Sequence, residues 1–97
     1  MSVYPLYQTQ TVPAATPAAL GSGAKTLKGF YLYGGSAASS VEFKNGATDT
    51  GTVLFSADTE ATVGRLICLT EFGGIRFDVG CFCKPAGTGA IVYAFFE

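Results

Sequence analysis

Ninety-seven residues with a net charge of −1 and only 13% charged side chains describe one small domain with little charge to spread over its surface. The six basic residues, Lys25, Lys28, Lys44, Arg65, Arg76 and Lys84, are dispersed, which argues against a direct nucleic-acid partner, since neutralising phosphates takes clustered Lys and Arg. No run approaches the roughly 20 apolar residues of a membrane-spanning helix, and the opening Met-Ser-Val-Tyr-Pro-Leu-Tyr-Gln lacks the basic and apolar regions of a signal peptide, so synthesis in a cytoplasm is expected.

Residues 1–24 contain three of the four prolines, Pro5, Pro13 and Pro17, among Thr, Gln, Ala and a Gly-Ser-Gly. Proline fixes φ and removes an amide donor, so the stretch reads as an extended N-terminal arm. Val3, Tyr4, Leu6 and Tyr7 are too apolar for an indifferent solvated tail and are the candidate partner contacts. The alternative is that the arm packs back along its own domain as an edge strand.

From residue 25 to 97, short runs rich in aromatic and β-branched residues alternate with Gly-rich breaks. That pattern predicts an all-β domain, a small antiparallel β-sandwich or jelly-roll-like barrel. Strands are expected near 26–33, 40–44, 52–57, 62–69, 74–79, 80–84 and 90–96, with 41–55 a hairpin because Asn45-Gly46 supplies the positive φ that a turn requires. Ile75, Phe77 and Val79 alternate with Arg76 and Asp78, the period of a strand with one wet face. Strands 27–33 and 90–96 are apolar on both faces. Such strands want cover on two sides, which makes Tyr31, Tyr33, Phe95 and Phe96 candidates for a subunit interface.

The chemistry of catalysis finds little purchase. There is no His, so a Ser or Cys nucleophile lacks its usual base. Glu42, Asp49, Asp58, Glu60, Glu71 and Asp78 fall mostly in predicted loops or on solvent faces, a poor basis for a glycosidase-like carboxylate pair. Cys68, Cys81 and Cys83 are odd in number, and the latter two sit at i, i+2 on one strand face. A disulfide framework and a four-ligand zinc site are therefore not expected, and the thiols read as small buried apolar residues. Gly73-Gly74 and Gly87-Thr-Gly89 are read as turns, since no helix follows to receive a phosphate. Tyr31, Tyr33 and Phe30 are the candidates for a sugar-stacking platform. No cofactor and no enzyme activity are expected.

Four segments taken together, Thr26-Leu-Lys-Gly-Phe-Tyr-Leu-Tyr, Val41-Glu-Phe-Lys-Asn-Gly-Ala-Thr-Asp-Thr-Gly-Thr-Val-Leu, Gly73-Gly-Ile-Arg-Phe-Asp-Val-Gly and Thr88-Gly-Ala-Ile-Val-Tyr-Ala-Phe-Phe, resemble the short β-sandwich virion proteins of tailed bacteriophages. The resemblance spans about residues 25–97. It implies a capsid decoration or cement protein on the outside of the phage head, a homo-oligomer with the trimer favoured, whose partner is the major capsid protein. A tail or head-fibre domain that binds host surface glycan is the alternative. Cys81-Phe82-Cys83 departs from the β-branched residues expected at that point and leaves the pairing of strand 80–84 open.

Overall fold

The computed structural model describes residues 7–97, apart from the side chain of Phe72. Among the described residues nine strands form: β1 (Gln8–Pro13), β2 (Ala18–Ala19), β3 (Lys25–Tyr33), β4 (Ser39–Asn45), β5 (Thr52–Thr59), β6 (Gly64–Cys68), β7 (Ile75–Phe77), β8 (Cys81–Ala86) and β9 (Ile91–Phe96), with one 3-10 turn at Thr70–Phe72. They make two sheets in the orders β1-β9-β3-β6 and β2-β8-β4-β5, every pairing antiparallel.

β6 and β7 are one interrupted strand. Residues 64–68 pair with 33–29 of β3, and 75–77 continue along 27–25. The excursion between them is closed by Leu69, whose N–H donates to the Lys28 carbonyl at 2.9 Å and whose side chain is buried, and by Gly73 at φ 83°. Counted as one, they leave eight strands divided between the two sheets in the orders 1-8-3-6 and 2-7-4-5. This is the strand order of the jelly roll, in which two Greek keys wrap one core.

The core comes from the inward positions of both sheets, as period-two alternation requires. Phe30, Leu32, Val92, Ala94 and Phe96 from one sheet meet Val41, Phe43, Cys81 and Cys83 from the other, all buried. Phe30 bridges the layers, its ring centroid 4.7 Å from that of Phe43 and 6.0 Å, edge-on, from that of Phe55. The predicted hairpin forms between β4 and β5, its register shifted once by a bulge between Phe43 and Lys44. β8 pairs with both β4 and β2, which answers the question left by Cys81-Phe82-Cys83. Its Pro85 lies beyond the end of the two-residue β2, where β8 has a free edge and a proline is tolerated.

Two expectations are corrected. From residue 8 onward the proline-rich stretch is not an arm extending from the domain. β1 pairs along the whole of β9, Gln8 with Phe96 through Pro13 with Ile91, so a boundary at residue 24 cuts through the fold. Val12 and Leu20 are drawn into the core, and the Gln10 side chain ties the two edge strands, donating to the Ala19 carbonyl and accepting from the Gly21 N–H, both at 3.0 Å. Pro13 and Pro17 are accommodated because they fall at strand ends. The alternation Ile75, Phe77, Val79 also breaks at its last member: Phe77 is buried but Val79 is 61% exposed. Its N–H is held by Asn45 Oδ1 at 3.0 Å, which bends the chain out of β7 toward the β4–β5 turn.

Candidate functional site

The two doubly apolar strands predicted from sequence are neighbours, β9 beside β3, so their outward residues merge into one surface. Direct partners in an antiparallel ladder share a face, and the register gives three outward rows across the β1-β9-β3-β6 sheet. These are Thr9–Phe95–Gly29–Cys68, Thr11–Tyr93–Tyr31–Leu66 and Pro13–Ile91–Tyr33–Gly64. None of these twelve residues carries a charge. Leu66 is 61% exposed, Tyr93 42% and Tyr33 38%, while Tyr31 and Phe95 are half-buried.

The middle row is organised around two tyrosines. Tyr31 and Tyr93 have ring centroids 6.1 Å apart and planes tilted by 46°. The Tyr31 ring runs toward β6 until its hydroxyl overlies Gly64, where any side chain would collide with it. Gly64 therefore lets Tyr31 lie along the sheet. Gly29 is fixed by a different constraint, since a Cβ there would come within 2.8 Å of the Ile67 carbonyl oxygen of β6. At the border of the face Lys28 pairs with Glu97 at 3.4 Å.

The outer face of the other sheet has the opposite character. Glu42, Lys44 and Lys84 point outward from β4 and β8, and the β4–β5 turn brings Asp49 over them. Asp49 accepts from Lys84 Nζ at 2.8 Å and from Lys44 Nζ. The hydrogen bond from Lys44, then that from Lys84, holds the Asp49 carboxyl below its ordinary range, and the same contact raises the Lys44 ammonium. The molecule thus has one charged, ion-paired face and one neutral aromatic face.

Four of the six carboxylates weighed for a catalytic pair, Glu42, Asp49, Asp58 and Asp78, are engaged with bases. Asp58 faces Arg65 at 3.7 Å and Asp78 faces Arg76 at 3.9 Å, in addition to the contacts of Asp49 and Glu42. Asp58 and Glu60 share an open cleft of about 620 Å³ between β5 and β6 with Ser39, Ser40, Thr59 and Arg65. Arg65 closes across it by donating to the Asp58 carbonyl at 3.0 Å. Among the described residues no three His, Cys, Asp or Glu side chains converge in a metal-binding group.

Of the predicted interface residues, Tyr31, Tyr33 and Phe95 lie together on the neutral face. Phe96 does not: it is 2% exposed and packs in its own core, because β9 alternates and Phe96 falls on the inward parity with Val92 and Ala94. Phe30 is likewise a core residue, which removes it from any sugar platform. Val3, Tyr4 and Leu6 lie outside the described residues, whereas Tyr7 is described, 38% exposed and immediately before β1. Sequence reasoning missed Tyr93, Leu66 and Cys68 as members of the face. Tyr93 was readable as sharing one parity of β9 with Ile91 and Phe95, but which parity faces outward, and its placement beside Tyr31, are matters of long-range pairing that no local pattern encodes.

What fold and site define is a jelly-roll β-sandwich that presents a neutral aromatic sheet face. No family model matches the chain, and neither a curated protein nor a solved structure shows significant similarity to it.

Proposed function

We propose that this protein is a structural component of a tailed-phage virion, a decoration or cement protein on the exterior of the head, and that it acts by contact rather than by turnover. The observation that carries the reading is the twelve-residue neutral face on one sheet of a molecule whose other sheet is charged. Contiguous exposed apolar surface rimmed by polar groups marks interaction sites. The jelly roll is a recurrent architecture of viral capsid domains, and the sequence resemblance points the same way. In this reading the neutral face packs between copies, in a trimer, or against the major capsid protein. The apolar residues Val3, Tyr4, Leu6 and Tyr7 add a second contact. Several weak contacts joined in one oligomer raise effective concentration and give high occupancy of the shell.

The test is co-sedimentation with heads that lack the endogenous protein. The native chain is expected to pellet with heads, and Leu66→Glu and Tyr93→Lys, which place charge on the face without touching the core, are expected to reduce the bound fraction at least tenfold. Undiminished binding by both folded variants contradicts the assignment of this face.

A second reading, a tail or head-fibre domain that binds glycan, is favoured by the same tyrosines, because exposed aromatic rings flanked by hydroxyl groups stack on sugars and the jelly roll also serves lectins. Saturable binding of a host polysaccharide, lost in Tyr93→Ala, together with no affinity for heads, selects it.

A further inference from the structure

Among the described residues β5 ends its sheet and pairs only with β4, so one side of its backbone is free. It is also the longest uninterrupted edge there. β2 has two residues, β1 carries Pro13, and β6 and β7 are separated by the Leu69–Gly74 excursion. Eight extended residues make a row about 26 Å long. Which of its groups face outward follows from the pairing of β4. In an antiparallel ladder the N–H and C=O of one residue point to the same neighbour, and successive residues point to opposite neighbours. Val41 lies between Pro85 of β8 and Ala57 of β5. Pro85 has no N–H to give, so Val41 exchanges its bonds with Ala57, and Ser56 and Asp58 on either side turn theirs to the free edge. Arg65 agrees with this assignment. Its Nη1 donates to the Asp58 carbonyl at 3.0 Å from across the open flank of the sandwich, and the guanidinium stands 3.7 Å from the Asp58 carboxylate.

An edge of this length accepts a further strand unless something blunts it. Arg65 covers one end, while Val53 and Leu54 are exposed near the other, where the bulge leaves Leu54 without a partner on β4. β5 of a second copy meets the requirements of such an edge. Asp58 is the one charged residue of β5. Antiparallel pairing of two copies about Ser56 sets each Asp58 opposite Leu54 of the other, which keeps the two carboxylates about 13 Å apart along the strand. That exceeds the roughly 8 Å over which exposed charges interact at physiological salt, so no like-charge contact opposes the pairing, and each Leu54 gains a neighbour.

We propose that the free edge of β5 is a strand-pairing site for β5 of a second copy of this chain, antiparallel about Ser56, and that Arg65 gates it by holding the Asp58 carbonyl. When the carbonyl is released Arg65 keeps anionic neighbours, because the Asp58 carboxylate and Glu60 line the same cleft. The edge belongs to the sheet opposite the neutral face, so the pairing goes beyond the function proposed for that face and does not rest on it.

The test is self-association by sedimentation equilibrium, measured on the full chain in a Tyr93→Lys background so that the neutral face does not contribute. Arg65→Ala should tighten the dimer at least tenfold. Adding Ser56→Pro, which removes an N–H that β4 does not use, should weaken it by the same factor. Arg65→Ala without effect overturns the proposal, and so does a tightened dimer that survives Ser56→Pro with unchanged circular dichroism. A cross-link gives a readout that does not depend on how the proline is tolerated. Cys81 and Cys83 are buried, so with Arg65→Ala and Cys68→Ser in place an introduced thiol is the reactive one. Ser56→Cys should then form an intermolecular disulfide at least tenfold faster than Thr16→Cys, which lies in an exposed turn. Equal rates at the two positions overturn the proposal. Both measurements are made without heads, so loss of head binding in the co-sedimentation test leaves this result standing, and the two ideas fail separately.

Discussion

The three thiols differ in what surrounds them, and that difference sets their reactivity. Cys81 and Cys83 face inward from β8 between the sheets, where burial pushes the Cys81 thiol up to about 12 and the Cys83 thiol higher still, with the neighbouring Cys81 adding to the shift. The thiolate is the reactive form, so these two are inert while the fold holds. Native protein at pH 8 should show one reactive thiol per chain with an aromatic disulfide reagent, and three after denaturation. Three rapid equivalents from native protein would place Cys81 and Cys83 outside the core. Phe43 tests the same core by packing. Its ring sits at the centre of the interlayer contact with Phe30, so Phe43→Ala should cost about 3–5 kcal/mol, readable as a drop in urea midpoint at unchanged slope. A loss under 1 kcal/mol would mean the layers do not meet there. The reading of the three thiols as small buried apolar residues holds for Cys81 and Cys83 and fails for Cys68, which ends β6 at the edge of its sheet and is exposed. That Phe96, unlike Phe95, points inward was not legible, because β9 is apolar on both parities and only its partners decide which side is the core.

At the scale of elements, the hairpin and the doubly apolar strands were visible in the sequence because turn residues and period-two patterns are local. β1 and β2 were not. Pro13 and Pro17 disguise them, and their pairing partners β9 and β8 lie more than sixty residues away in sequence. Their integration has a direct consequence. Deleting residues 2–20 removes β1, exposes the edge of β9 and takes Val12 and Leu20 from the core, so the truncated chain should lose its cooperative thermal transition or melt at least 10 °C lower. Deleting 2–6 alone should leave the transition in place. An unchanged melting curve for the 2–20 deletion would show that β1 contributes nothing to the fold. The β4–β5 turn carries a pH dependence. Because the Asp49 carboxyl is held below its ordinary value, the stability it adds is complete above about pH 4 and fades as pH falls through its folded value. Lys44, raised above its ordinary value, adds stability that is complete below about pH 10 and is lost at higher pH. The melting-temperature difference between the native chain and Asp49→Asn should therefore be flat from about pH 5 to 9 and shrink as the pH falls below about 4. A difference that grows in acid would contradict the ion pair.

For the whole molecule, the jelly-roll order emerges only when β6 and β7 are seen as one strand broken by the Leu69–Gly74 excursion, a relation set by long-range register with β3 and hidden from any window of sequence. The same long-range pairing creates the functional candidate. Tyr31 and Tyr33 were legible as sharing one face of their strand, yet which face is outward was not, and the contact surface exists because β9 brings Tyr93 and Phe95 alongside and β6 adds Leu66 and Cys68. Twelve outward positions of one sheet are thereby left uncharged while the outer face of the other carries the ion pairs of Glu42, Lys44, Lys84 and Asp49, and that asymmetry is the basis for regarding the protein as an assembly part. Electron cryo-microscopy of intact virions tests this most directly, by locating the chain on the particle and showing what lies against its β1-β9-β3-β6 sheet. The account predicts copies on the exterior of the head with Tyr93 and Leu66 buried against a neighbouring copy or the major capsid protein. Density for the chain at a fibre tip with those residues facing solvent, or its absence from the particle, would contradict it.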